Sequence, residues 1–191
     1  MTSAALLLAL AGCGDDKTTP EPNLGGSPTE ESSATTPTSD ATEATEPFDG
    51  EGDEVHAGRI KAGSPAEEAV GQAWVDYWQV RVTAYHKTRV DADALGRVAR
   101  GGALQEVIDY VGRLQTDGTT IEGDTRVGVT DIEIAGSSAA VKSCLQSKAG
   151  PAGSGGDEET SYATIVGALV QEGQQWLVET ITVTGDKRCT A

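Results

Sequence analysis

Positive charge is scarce in this sequence. Its 191 residues carry 14 Lys plus Arg against 30 Asp plus Glu, a formal net charge of −16. Neither nucleic-acid phosphates nor anionic lipid is an expected partner, since both are held by clustered cations. Aromatics are few as well, at 4% of residues with a single Phe. No apolar run reaches the roughly 20 residues of a spanning helix, so a multipass membrane protein is excluded. The chain contains no CxxC, GxSxG, HExxH or zinc-ligand spacing, and its two histidines, His56 and His86, are widely separated. The glycines at 150, 153, 155 and 156 lack the Lys-Ser/Thr of a phosphate loop. A metal, a redox cofactor and a nucleotide are therefore not expected.

What charge there is lies unevenly. Residues 14–60 hold 12 acidic and 2 basic groups, residues 61–191 hold 18 and 12, and every aromatic except Phe48 falls in the second part. That asymmetry predicts a solvated tail joined to one globular domain.

The first residues read as an export address. Residues 4–11 form a short apolar run, followed by Leu10-Ala11-Gly12-Cys13. An aliphatic residue, two small ones and a cysteine resemble the lipobox of bacterial lipoproteins. The resemblance implies a signal peptide over 1–12, cleavage before Cys13 and diacylglyceryl attachment to its thiol. No Lys or Arg precedes the apolar run, which departs from the usual positive start of an export signal. Residues 13–60 then read as a lipidated cysteine and an acidic Thr/Ser/Pro-rich stalk with little apolar surface to offset its ordering entropy. The stalk is either O-glycosylated or a bare spacer.

The domain is expected over 61–191. Ser64-Pro65-Ala66-Glu67 spells a capping box with Pro at the first helical position. The helix should run to about residue 88, with Val70, Ala73, Trp74, Tyr77, Trp78, Ala84 and Tyr85 along one face. Arg81 projects from that apolar face. It either pairs with an acid on the sheet or receives an anionic group of a ligand, because an unpaired buried charge costs several kcal/mol. A short helical piece follows with Leu95 and Val98, broken at Gly101-Gly102. A second helix then carries Ala103, Leu104, Val107, Ile108, Val111 and Leu114 and ends at Gly118.

Beyond it the period changes to two. Val127 and Val129 alternate, then Ile132 and Ile134 alternate in the opposite phase, which predicts a β-bulge between them. Further strands are expected over 139–146, 162–171 and 175–184, with a loose loop over 147–159 and a tight turn at Glu172-Gly173. If Cys13 is lipidated, Cys144 and Cys189 are left with one possible pairing, and an exported chain permits the bridge. The alternative is two free buried thiols.

Helices followed by a curved antiparallel sheet make an α+β plan. The order of elements over about 64–184, with Val170-x-x-Gly173-x-x-Trp176-x-Val178 at the last hairpin, resembles the nuclear transport factor 2-like (SnoaL-like) fold, a cone of helices against a bent sheet. Lipobox, stalk, the Tyr77-Trp78 helix and the two later cysteines together resemble lipoproteins of actinobacteria. The first resemblance implies a pocket in which Asp131 and Glu179 point inward toward Trp74, Tyr77, Trp78, Arg81, Tyr85 and Trp176. Enzymes of that superfamily, isomerases and cyclases among them, place such a carboxylate in an apolar cone for acid–base work. No pair of acids is fixed by spacing here, so no catalytic residue is assigned. The expectation is a lipid-anchored, extracytoplasmic domain that binds an envelope protein or a small apolar ligand without catalysis. A small acid–base enzyme is the alternative.

Overall fold

The computed structural model describes residues 54–153 and 160–191. The signal peptide, Cys13, the stalk up to residue 53 and the glycines at 155 and 156 lie outside the described residues. Those described fall in one unit, Ala41–Ala191.

Helix α1 (Pro65–His86) starts where the cap was expected. Ser64 Oγ accepts the Glu67 N–H at 3.2 Å, while the Glu67 carboxylate reaches back to the N–H of Gly63 rather than that of Ser64. The helix ends at His86 with Lys87 as its C-cap, and Thr88, with a φ of 46°, turns the chain away. Its buried side extends past the expected stripe to Gly71, Val75 and Val82. Helix α2 (Ala92–Val98) is capped by Asp91, which accepts the Ala94 N–H at 2.9 Å. After an extended Ala99-Arg100, α3 (Gly101–Asp117) takes both glycines into its first turn and ends at left-handed Gly118.

The strands are β1 (Val55–Ile60), β2 (Ile121–Glu122), β3 (Thr125–Ala135), β4 (Ser138–Ser147), β5 (Gly150–Pro151), β6 (Ser161–Glu172) and β7 (Gln175–Gly185). Five of them form one sheet in the order β1-β3-β4-β6-β7, and β2 with β5 forms a separate two-stranded ribbon. Strands β3, β4, β6 and β7 make an antiparallel meander, but β1 lies parallel to β3 from Val55 opposite Thr125 to Ile60 opposite Val129. Parallel pairing demands a crossover, and the three helices supply it.

Three expectations change. The sheet is mixed rather than antiparallel, and the globular domain takes in residues 54–60, which had been assigned to the stalk. His56 is therefore a sheet residue. Its Nε2 lies 3.1 Å from Asp124 Oδ2, and the buried Asp124 also accepts the Glu54 N–H at 3.0 Å. The loop over 147–159 is also more structured than expected, since Gly150 and Pro151 pair with Glu122 and Ile121.

The phase change in β3 is a bulge between Val129 and Asp131. It keeps Val127 and Val129 on the same buried side as Ile132. A second irregularity lies where Ala168 and Leu169 face Thr180 and Val178, leaving Glu179 between them. Helix α1 packs on this inner face, with Val70, Trp74, Tyr77 and Trp78 against Val127, Val129, Val141, Ile165 and Leu169. Each large apolar side chain buried there contributes roughly 1.5–3 kcal/mol.

The outer face is covered differently. Cys144 stands opposite Gly128 and is bridged to Cys189, with a Cα–Cα distance of 5.8 Å. The tail after β7 thereby folds back over the sheet. Ala191 packs so closely that a Cβ on Gly128 would meet its carbonyl carbon at 2.3 Å, and one on Gly58 would meet it at 2.7 Å. The tail thus straps β1 to β3.

Candidate functional site

Successive turns of α1 bring Trp78, Arg81, Val82 and Tyr85 onto one side. Glu106 and Tyr110, one turn apart on α3, face them across a cleft of about 490 Å³. The sheet contributes Leu145, Ala163, Ile165 and Ile181, with Val183 at the mouth, and the ribbon adds Ile121 and Pro151. These walls are mostly apolar.

Arg81 is the centre of the polar chemistry. Its Nη1 donates to Tyr77 Oη at 2.9 Å, and its Nη2 donates to Glu106 Oε1 at 2.7 Å. Tyr77 Oη passes the chain on to the Ala103 carbonyl at 3.5 Å. The guanidinium carbon lies 4.9 Å from the Trp78 ring centroid and 5.3 Å from that of Tyr85, within cation–π range. The Arg81 side chain is 12% exposed and that of Glu106 43% exposed. One end of the pair is thus buried and the other half in water.

The network is incomplete. Arg81 Nε and Tyr85 Oη are both buried with no hydrogen-bond partner among the described residues. A buried donor left unpaired costs about 1–3 kcal/mol. The Tyr85 ring packs tilted by 51° against that of Tyr110, with centroids 4.4 Å apart. Burial pulls the Arg81 guanidinium toward neutrality, but Tyr77, Tyr85 and Glu106 outweigh it and hold the charge more firmly than in water. Burial pushes the phenols of Tyr77 and Tyr85 above the ordinary tyrosine value, with Arg81 opposing the shift at both.

Three of the pocket residues expected from sequence line this cleft, namely Trp78, Arg81 and Tyr85. Trp74 and Tyr77 are fully buried behind it and fill the interior. Trp176 packs half-buried against the core and does not line the cleft. Asp131 does not point inward: the bulge turns it to solvent, opposite Lys142. Glu179 does not either, because its own bulge aims it at the start of α3, where it pairs with Arg100 at 3.3 Å. Arg81 does find an acid, but that acid is Glu106 on α3 rather than one on the sheet.

Glu106 and Tyr110 were missed in the sequence. They flank the Ala103-Val107-Val111 stripe at helical spacing, and Tyr110 is the one aromatic on α3. Among the described residues, no group of three or more His, Cys, Asp or Glu could hold a metal ion. No described helix is long and apolar enough to cross a membrane.

No family profile matches this chain, and neither does any curated protein. Solved structures do resemble it. The intermembrane space region of the chloroplast protein ARC6 superposes with a TM-score of 0.52 at 14% identity, covering 61% of this chain and 94% of that one. A de novo designed β-sheet protein solved by NMR gives a TM-score of 0.32 at 20% identity, covering 61% of this chain and 85% of that one. The first likeness concerns the α+β fold alone.

Proposed function

We propose that this chain is an extracytoplasmic lipoprotein, anchored through Cys13, whose nuclear transport factor 2-like domain binds a small apolar ligand without transforming it. The observation that carries the binding reading is the cleft itself. An apolar space of about 490 Å³ with a few convergent polar groups is the usual make-up of a small-molecule site. The Cys144–Cys189 bridge supports an oxidising compartment, where such bonds persist. Three helices on one face of a bulged sheet, with a cleft between them, support the nuclear transport factor 2-like assignment.

The acid–base enzyme reading draws less support. Asp131 and Glu179, the carboxylates it would use, both lie outside the cleft. Glu106 is the sole carboxylate among the described residues lining it, and Arg81 holds that group.

Native mass spectrometry of the full chain extracted from its host envelope tests the reading. The expected spectrum shows a retained small molecule that is absent from Ala163→Leu, which fills the cleft. A protein partner in its place, or a ligand retained equally by Ala163→Leu, contradicts binding in this cleft. Cys13→Ala is expected to move the chain out of the membrane fraction, and unchanged fractionation contradicts the anchor.

A further inference from the structure

We infer that the ligand is an apolar monocarboxylate, and that Glu106 is a resident competitor which it displaces from Arg81. This rests on the cleft being a ligand site, and adds what the ligand must carry at its head.

The argument starts from the edges of the guanidinium. Nε and Nη2 share its side-on edge, where two parallel N–H donors match the two oxygens of a carboxylate. Glu106 makes a single contact, Oε1 to Nη2 at 2.7 Å, and the adjacent Nε has no partner among the described residues. Nη1 is engaged elsewhere, since it donates to Tyr77 Oη at 2.9 Å. The unfilled capacity of Arg81 therefore includes the Nε donor beside Nη2, in the layout a carboxylate fills completely.

Glu106 is placed to yield. Its side chain is 43% exposed, so on release it returns to water with little desolvation to recover. Arg81 cannot follow it, being 12% exposed with its guanidinium carbon 4.9 Å from the Trp78 ring centroid and 5.3 Å from that of Tyr85. An incoming carboxylate would gain both donors of the edge, and Tyr85, whose buried Oη equally lacks a partner among the described residues, is part of the same cleft wall. An alcohol or an ester brings no charge to replace that of Glu106, and an amine meets a fixed cation. The rest of the ligand is specified by the walls, where Trp78, Leu145, Ala163, Ile165 and Ile181 offer aliphatic and aromatic surface.

The test is titration calorimetry of the full chain with decanoate, 1-decanol and acetate, repeated on Glu106→Gln and Arg81→Lys. Decanoate is expected to bind about tenfold or more tightly than decanol, as a charge-assisted bidentate pair demands. Acetate should bind far more weakly than either, for lack of a chain. Glu106→Gln removes the competing charge and keeps an acceptor for Nη2, so decanoate should tighten about tenfold while decanol stays unchanged. Arg81→Lys keeps the charge but not the fork, and should erase the advantage of decanoate.

Equal binding of decanoate and decanol overturns the inference and leaves the apolar site standing. Decanoate that weakens or stays level in Glu106→Gln overturns it as well, since Glu106 would then be a structural partner only. Binding of neither long-chain compound removes the cleft reading together with the inference.

Discussion

The indole of Trp74 lies directly on the bare backbone of Gly167. A Cβ built on Gly167 would stand 2.0 Å from Cζ3 of Trp74 and 2.5 Å from Cη2, far inside contact distance. Trp74 is fully buried, and Gly167 sits in β6 between Val141 and Ile181. The missing side chain on the sheet is thus what lets α1 seat its largest residue. Gly167→Ala should destabilise the domain by about 3 kcal/mol, the upper end for overpacking a tight core. Urea unfolding followed by tryptophan fluorescence reads this as a lower midpoint, and an unchanged midpoint contradicts the contact.

Asp124 anchors the first strand. Its carboxylate, 2% exposed, faces His56 Nε2 at 3.1 Å and accepts the Glu54 N–H at 3.0 Å. Asp124→Ala leaves that N–H without its acceptor, at a cost of about 1–3 kcal/mol. Asp124→Asn keeps one carbonyl acceptor and should lose less. Because β1 is an edge strand paired only with β3, the effect should be local. Hydrogen exchange at Val55–Ile60 should accelerate well before that of β4 and β6, whereas uniform acceleration would show that Asp124 supports the whole sheet.

How far these relationships can be read from sequence depends on how local their causes are. The Ser64 cap, the Gly118 stop and the β3 bulge each arise from a few neighbouring residues, and all three are present. Strand β1 was hidden because Val55–Ile60 mixes His, Gly and Arg among its apolar residues and follows an acidic run. Its pairing partner lies some 70 residues away, across the helices. The ribbon of Ile121–Glu122 with Gly150–Pro151 was hidden by having two residues on each side.

In the cleft, the helical period put Trp78, Arg81 and Tyr85 on one side of α1, and all three line it. It could not place Asp131 or Glu179, because one bulge residue reverses the side a strand residue faces. The partner of Arg81 was illegible for a related reason. Which acid meets it depends on how α3 crosses α1, and no local pattern encodes that.

The bridge between Cys144 and Cys189 closes a separation of 45 residues. Removing that constraint from the unfolded chain corresponds to roughly 4 kcal/mol in the chain-entropy account. The double substitution Cys144→Ser with Cys189→Ser should cost about that much, and dithiothreitol should have the same effect on the unmodified chain. Because Ala191 packs on Gly58 and Gly128, loss of the bridge should also loosen β1 on the outer face. A midpoint insensitive to reductant would mean that packing alone holds the tail.

Tyr77 and Tyr85 make stability fall at alkaline pH. Both phenols are raised above the ordinary value of 10.0, first by burial and against the opposing charge of Arg81. Glu106 adds to the rise at Tyr77, and Tyr77 then Glu106 add to it at Tyr85. A raised value means that the folded state keeps protons which the unfolded chain releases. Below pH 10 both states are protonated and stability is at its full level. Above it the unfolded chain ionises first, so stability declines as the pH climbs toward the folded values. Absorbance at 295 nm should therefore show two of the 4 tyrosines ionising only as the domain unfolds. Tyr85→Phe removes one of these groups together with a hydroxyl that has no partner. It should raise stability at pH 7 by up to about 1–3 kcal/mol, the cost of that unpaired hydroxyl, and flatten the decline above pH 10. A decline as steep as in the unmodified chain would place the alkaline sensitivity elsewhere.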